Sequence, residues 1–165
     1  MSASRLAWLV SPVLFVAAFA AATPAAAETL GTPTPAQRAL AIRRDGVAER
    51  AQLNERWARG AQKSGSHDTA AKCSFTAGRS YRTLARSYEV KRETKRQASA
   101  LAWAAADYTK GAESLELSAM AWKGAPKGLR HVAREKIKTA ANARRVAARL
   151  MEESERLNAK AAAKP

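Results

Sequence analysis

The fold is decided by residues 98–122, which read ASALAWAAADYTKGAESLELSAMAW. Apolar side chains recur there at alternating steps of three and four residues, at Ala98, Leu101, Ala105, Tyr108, Ala112, Leu115, Ala119 and Trp122. That spacing places them on one face of an α-helix. Residues 101–106 are apolar on most sides, which predicts a helix buried between two neighbours.

Similar spacing on both sides of this stretch predicts further helices. Before it, one apolar series consists of Ala70, Cys73, Ala77, Tyr81, Leu84 and Tyr88. After it, from about residue 127 to 159, a second series shares one helix face: Leu129, Ala133, Ile137, Ala140, Ala147, Leu150 and Met151. A less regular helix is predicted from residue 35 to about 61, with Thr34 as N-cap and Pro35 at the first helical position.

The connections between these helices are short. Residues 60–68, GAQKSGSHD, read as a loop with Asp68 as a possible N-cap, and residues 124–128, GAPKG, read as the strongest turn. Residues 89–96 are almost wholly charged and contain no typical turn residue, so two interpretations are open. We favour a turn near residues 91–95, with Thr94 and Gln97 as a capping box, since a small domain buries more surface by folding back. The alternative is one long helix over residues 68–122.

We therefore predict an all-α, antiparallel helical bundle over residues 36–160, with four helices, or three if residues 68–122 are continuous. Aromatic residues make up only 6% of the chain, and the helix seams are rich in alanine. Because an alanine buries little area, we expect the larger side chains to supply much of the core. The aromatic candidates are Trp57, Tyr81, Tyr88, Trp103, Tyr108 and Trp122.

The first 27 residues have the layout of a cleaved secretory signal peptide. Arg5 gives a short positive region, and an apolar run of 17 residues follows from Leu6 to Ala22. The small residues Ala25 and Ala27 then precede Glu28, where we expect the cut. The alternative is an N-terminal membrane anchor, for which the apolar run is at the lower length limit. Residues 28–35 read as a flexible lead-in and residues 161–165 as a disordered tail.

The chain is strongly basic, with 29 Lys and Arg against 14 Asp and Glu and a formal charge of +15. Only Arg5 lies in the signal segment, so the expected mature chain keeps +14. On the last helix, six basic residues lie within an arc of about 100°, opposite the apolar side chains. We call this set the basic face: Arg130, Arg134, Lys138, Arg145, Arg149 and Arg156. One interpretation is a solvated surface; the other is a surface that binds anions.

The sequence offers little for catalysis or for cofactors. With one cysteine and two histidines, it excludes a disulfide framework and a multi-histidine metal site. Cys73 is in phase with an apolar seam, which predicts a small buried side chain, or otherwise an intermolecular disulfide that would make a homodimer. His131, Met120 and Met151 carry no haem attachment motif, and the glutamates lack the Glu-x-x-His pairs of di-iron bundles. We predict no enzyme, no metal and no cofactor.

These patterns together suggest an exported, periplasmic or secreted, non-enzymatic binding or structural protein of a cell envelope. The expected partner of its basic face is an anionic envelope polymer or a layer of lipid headgroups, with nucleic acid less favoured because of export. The alternative is a protein-interaction or chaperone-like module that uses grooves between helices. Salt distinguishes the two, because binding to a polyanion weakens steeply with salt.

Overall fold

A computed structural model describes residues 35–124 and 126–163, and this part of the chain is helical with no strands. It contains four α-helices: α1 Pro35–Lys63, α2 His67–Val90, α3 Thr94–Ala121 and α4 Arg130–Ala162. A short 3-10 turn, Lys127–Leu129, precedes α4. The helices pack against each other, so the predicted all-α helical bundle of four helices is confirmed.

The turn between α2 and α3 settles the choice between four helices and three. The chain reverses over residues 91–93, where the backbone N–H groups of Lys91 and Arg92 donate to carbonyls at the end of α2. Arg92 has a φ of 58°, the left-handed conformation that a non-glycine residue seldom adopts. The tight reversal thus occurs without the usual turn residues. The capping box is wrong, since Glu93 holds the N-cap position and makes no side-chain cap.

Other predicted boundaries are also corrected. Helix α1 continues through Gly60 to Lys63, so the loop predicted over residues 60–68 is shorter than expected. Ser66, and not Asp68, occupies the N-cap position of α2, and Asp68 lies in the first turn. The first error arose because packing tolerates a glycine inside a helix, and the second because Ser66, also a typical N-cap residue, lies two residues before Asp68. Helix α4 runs past residue 160, to Ala162.

Each helix packs on its neighbours in sequence: α1 on α2, α2 on α3 and α3 on α4. Neighbours are antiparallel, as Arg44 near the start of α1 contacts Ser87 near the end of α2. Likewise Ser154, late in α4, donates to the carbonyl of Ala98, early in α3. Within the described residues α1 and α4 do not pack closely against each other. The two outer helices therefore keep a side that no other helix of the bundle covers.

The core consists mostly of alanine, with a few larger side chains. Its main cluster joins all four helices through Ala51, Tyr81, Leu84, Ala85, Ala100, Leu101, Ala104, Ala105, Ala147 and Leu150. Trp57 and Trp103 are more than half exposed, so the expectation that they lie in the core is wrong. Leu129, Ile137 and Met151, expected on the apolar face of α4, are also exposed. Small side chains let the helices approach closely, which leaves large ones without room between them.

Gly111 shows how close that approach is. A Cβ atom at this position would lie 2.4 Å from the ring of Phe75 on α2. Phe75 and Tyr108 have ring centroids 5.9 Å apart and pack beside Ala140 and Ala143 of α4. The side of the α2–α3 pair that carries these two rings thus faces α4. Tyr81 and Trp103 lie on another side of the same pair, next to residues of α1.

The predicted signal peptide (residues 1–27), its cleavage residues Ala25, Ala27 and Glu28, and the lead-in up to residue 34 lie outside the described residues. So do Thr34, the predicted N-cap of α1, and residues 164–165 of the predicted tail. In the part of the chain that is described, no helix combines the length and the apolar character needed to cross a membrane.

Candidate functional site

All six residues of the basic face are exposed on α4, the last helix of the row. Within the described chain none of them lies within salt-bridge distance of an acidic side chain. Arg145 donates to the Oδ1 atom of Asn142, a neutral side chain on the same helix. The charges of these six side chains therefore remain available to an anion outside the chain.

Two other cations of α4 are paired instead. Lys136 Nζ lies 2.6 Å from Asp68 Oδ2, and Arg144 makes two hydrogen bonds to the carboxylate of Glu116 on α3. Those bonds hold the pKa of Glu116 below its usual value. The bundle therefore divides the cations of its last helix: those that face α2 and α3 are neutralised, and those of the basic face are not.

Acidic neighbours make the basic face uneven along its length, a point that the sequence analysis missed. Viewed down the axis of α4, with Arg130 at 0°, the basic face spans about 0–100°. On this scale Glu152 lies at about 40° and Glu155 at about 340°, and both are close to Arg156. The stretch of α4 from Arg130 to Arg149 is about 29 Å long at 1.5 Å per residue. Along it, no acidic residue lies within the 100° arc of the basic face. The positive potential is therefore strongest along the first two thirds of α4.

Lys136 belongs to a cluster that joins α2, α3 and α4. Its ammonium donates to both carboxylate oxygens of Asp68 and to Ser118 Oγ at 2.6 Å, and Ser118 Oγ donates to Asp68 Oδ1 at 2.8 Å. The ammonium also lies 5.6 Å from the centre of the Trp122 ring. The hydrogen bond from Lys136 is the main reason why the pKa of Asp68 falls below 3.8. These contacts connect the first turn of α2, the end of α3 and the first half of α4.

Arg44 ties α1 to the α2–α3 turn. The guanidinium donates to Ser87 Oγ at 3.1 Å, pairs with Glu93 Oε1 at 3.1 Å and lies 4.7 Å from the centre of the Tyr88 ring. Burial alone would raise the pKa of Glu93, but hydrogen bonds from Arg44 and Arg96 hold it below its usual value. Arg44 therefore contributes ion pairing and hydrogen bonding where α1 meets the end of α2.

A cleft of about 420 Å³ lies between α1 and α3 beside Tyr81 of α2. Its lining combines aromatic, acidic and basic side chains: Gln52, Glu55, Arg56, Arg59, Tyr81 and Trp103. The rings of Tyr81 and Trp103 are tilted against each other, with centroids 5.4 Å apart. Arg59 Nη1 lies 3.7 Å from Glu55 Oε2, a loose ion pair at the rim. Nothing in the sequence indicated this cleft, because its lining residues come from three different helices.

Asp107 lies one helical turn after Trp103 on α3 and is 2% exposed. Its Oδ2 atom is buried without a hydrogen-bond partner, and the nearest cation, Lys110 Nζ, lies 3.9 Å from Oδ1. Burial, and then the negative charge of Glu55, raise the pKa of Asp107 to about 7. A buried carboxyl oxygen without a hydrogen bond is costly to a fold, so its presence calls for an explanation.

The other residues considered from the sequence do not assemble into a site. Cys73 is half-buried on α2, and His131 Nδ1 lies 2.8 Å from the carbonyl oxygen of Gly128. His67 begins α2 and does not lie in a loop as expected. Over residues 35–124 and 126–163, no three His, Cys, Asp or Glu side chains gather as metal ligands.

A comparison of the chain with models of protein families, with curated proteins and with solved structures finds nothing that matches.

Proposed function

We propose that this chain is an exported, non-enzymatic protein of a cell envelope that binds an anionic polymer or anionic lipid headgroups through its basic face. One observation carries the proposal: on α4 the cations that face the bundle are paired with carboxylates, and the six of the basic face are not. On that side of α4 the six unpaired cations lie within an arc of about 100°, so their charges add along one stretch of surface.

The geometry suits an extended partner. The stretch from Arg130 to Arg149 has the length of several repeat units of a charged polymer, so it suits an extended partner better than a compact one. Such binding is electrostatic, which brings a steep dependence on salt and little dependence on the sequence of the polymer. The signal peptide predicted from residues 1–27 places the partner in the envelope, and so favours a lipopolysaccharide or an acidic polysaccharide over nucleic acid.

The test is retention of the purified chain, without residues 1–27, on heparin and on lipopolysaccharide resins over a salt gradient. The variant replaces Arg130, Arg134, Arg145 and Arg149 with Gln. We expect it to elute at clearly lower salt, with the slope of log affinity against log salt smaller by about 3, since each lost contact contributes somewhat less than one unit.

A matched control removes the same charge elsewhere. Arg50, Arg79, Arg86 and Lys91 are exposed on α1, α2 and the following turn, and none of them forms a salt bridge within the described residues. Replacing these four with Gln gives a chain of equal net charge and an intact basic face. Equal losses in the two variants would show that net charge alone explains retention, which would overturn the proposal.

A second candidate function is a protein-interaction module that uses a groove between helices. The observation in its favour is an apolar groove of about 580 Å³ between α3 and α4, lined mainly by Ala105, Ala106, Ala147, Ala148 and Met151. Small side chains on both walls leave room for an added helix or chain segment. Binding in this groove would persist at 1 M salt, whereas binding to the basic face would not.

A further inference from the structure

We propose that a pocket at the end of the bundle where α2 turns into α3 binds the phosphate group of a phosphate monoester. The pocket has a volume of about 480 Å³. Seven residues line it: Arg92, Glu93, Thr94, Lys95, Arg96, Lys160 and Ala161. None of these residues belongs to the basic face, so the inference goes beyond the polyanion proposal and does not rest on it.

The lining of this pocket is strongly cationic. Four of its seven residues are cations and one is an anion, which gives a net charge of +3. Three of the cations belong to the α2–α3 turn and the start of α3, whereas Lys160 belongs to the last turn of α4. An anion in the pocket can therefore be contacted from two separate parts of the chain.

Most of this positive charge is not neutralised by the chain itself. Within the described residues, three of the cations are exposed and form no salt bridge: Arg92, Lys95 and Lys160. The carboxylate of Glu93 is already occupied, because Oε1 accepts a hydrogen bond from Arg44 at 3.1 Å and Oε2 accepts one from Arg96 at 3.0 Å. The three exposed cations therefore remain available to a ligand.

The helix ends beside the pocket do not decide its charge. The carboxyl ends of α2 and α4 and the amino end of α3 lie there. A helix end carries about half an elementary charge, negative at the carboxyl end and positive at the amino end, so the three ends sum to about half a negative charge. That is small against the net +3 of the side chains. The side chains therefore determine which ligand the pocket attracts.

The composition of the lining favours a phosphate monoester over other anions. At neutral pH this group carries close to two negative charges on three terminal oxygens, so one group can accept hydrogen bonds from several cations at once. A carboxylate or a sulfate ester carries one negative charge and leaves more of the positive charge uncompensated. Among the lining residues Ala161 alone has an apolar side chain, so the organic part of the ligand is left in solvent.

Three probes built on one hexose test the choice of ligand. Glucose 6-phosphate carries close to two negative charges, glucose 6-sulfate one on a group of the same tetrahedral shape, and glucuronate one on a planar carboxylate. We expect NMR titration of the purified chain at low salt to show saturable shifts of the amide signals of residues 92–96 and 160. Glucose 6-phosphate should bind about tenfold more tightly than either other probe. Equal affinities for the phosphate and the sulfate, or no saturable shift at these residues, would overturn the proposal.

The phosphate monoester can belong to a soluble molecule or to a lipid headgroup, and vesicles separate these sources. Phosphatidic acid presents a phosphate monoester at a membrane surface, whereas phosphatidylglycerol presents a diester with one charge. Stronger binding to phosphatidic acid than to twice as much phosphatidylglycerol in the same neutral lipid assigns the pocket to a headgroup. Equal binding, together with saturable binding of glucose 6-phosphate, assigns it to a soluble ligand.

Two variants of equal net charge assign the contacts. The pocket variant replaces with Gln the three cations that form no salt bridge: Arg92, Lys95 and Lys160. The control variant replaces with Gln three exposed arginines outside the pocket: Arg50, Arg79 and Arg86. We expect the pocket variant to bind glucose 6-phosphate about tenfold more weakly and the control variant to bind it as the wild-type chain does. Equal losses in the two variants would refute the proposal, because net charge alone would then explain the binding.

Two further measurements keep this result separate from the polyanion proposal. Thermal unfolding checks that both variants are folded. On heparin resin the two variants should elute together, because both keep an intact basic face and the same net charge. A pocket that fails to bind glucose 6-phosphate therefore leaves the polyanion proposal unaffected, and the converse also holds.

Discussion

Two aspartates of this bundle stand in opposite situations. Asp68, in the first turn of α2, is about half exposed, yet it accepts hydrogen bonds from Lys136 and Ser118. Asp107, in the middle of α3, is almost completely buried, yet its Oδ2 atom accepts none. The pKa of the first is lowered and that of the second is raised to about 7.

The difference shows which of the two carboxyl groups stabilises the fold. Asp68 holds three helices together, and its ionised form is the one that the structure favours. Asp107 destabilises the bundle when it is ionised, because the cost of removing its charge from water exceeds the attraction of Lys110. Carboxyl groups of the second kind, with a raised pKa, are found more often at functional sites than elsewhere in proteins.

The largest effect is expected for Asp107→Asn. Between pH 3.8 and about 7, the folded chain keeps on Asp107 a proton that the unfolded chain has released, so this residue lowers stability as the pH rises. The Asp107→Asn variant cannot ionise, so it does not undergo this loss of stability as the pH rises. We expect it to raise the free energy of unfolding by on the order of 3 kcal/mol at pH 8 and to change it little at pH 4.

Urea unfolding of both chains at pH 4, 6 and 8 measures this effect. Asp45→Asn, at an exposed position on α1, is the control with the same chemical change. A difference between Asp107→Asn and wild type that stays constant over the three pH values would show that Asp107 titrates normally, and the contrast with Asp68 would be lost.

A smaller effect, in the opposite direction, is expected for Lys136→Met, which should lower the free energy of unfolding. The substitution removes the donor to Asp68 and Ser118 while keeping the length of the side chain, which is 14% exposed. We expect a destabilisation of about 1–2 kcal/mol, above that of an ordinary surface pair because the ammonium is largely buried.

Lys138→Met gives the comparison on the same helix. Lys138 is exposed and forms no ion pair within the described residues, so the free energy of unfolding should change by about 0.5 kcal/mol or less. Equal effects of the two substitutions at pH 7 would contradict a structural role for the Lys136 cluster.

The smallest effect is expected for Asp68→Asn, and it should depend on pH in the opposite direction to Asp107→Asn. The folded pKa of Asp68 is lowered, so its contribution is present above pH 3.8 and is lost as the pH falls through the folded value. Since the side chain is about half exposed, we expect a loss of only about 0.5 kcal/mol at pH 7. Thermal unfolding at pH 7 and pH 2.5 should show this loss at the higher pH alone.

Local patterns in the sequence predicted the helices well. The alternating steps of three and four from Ala98 to Trp122 lie in α3 and its first following residue, and Gly124 with Pro126 marks the last turn. Boundaries were less accurate: Gly60, a turn residue by preference, lies inside α1, and the N-cap of α2 is Ser66 and not Asp68. Preference acts locally and weakly, and packing against a neighbouring helix overrides it.

The candidate sites were predicted to different degrees. The basic face follows from the periodicity of one helix, and so the sequence alone could indicate it. The cleft beside Trp103 could not be predicted, because it combines side chains from three helices whose order of packing was unknown. The same holds for Arg44, whose partners Ser87 and Glu93 lie more than 40 residues away in the sequence.

The amino-acid sequence is enough to show that the chain is helical, that it is strongly basic and that one face of its last helix concentrates positive charge. These are properties of composition and of spacing within one helix. Which charges are neutralised, that Trp57 and Trp103 lie at the surface, and that Asp107 Oδ2 is buried without a hydrogen bond follow only from the packing of the helices. Such properties depend on contacts between residues some 20 to 70 positions apart, and helical periodicity carries no information about them.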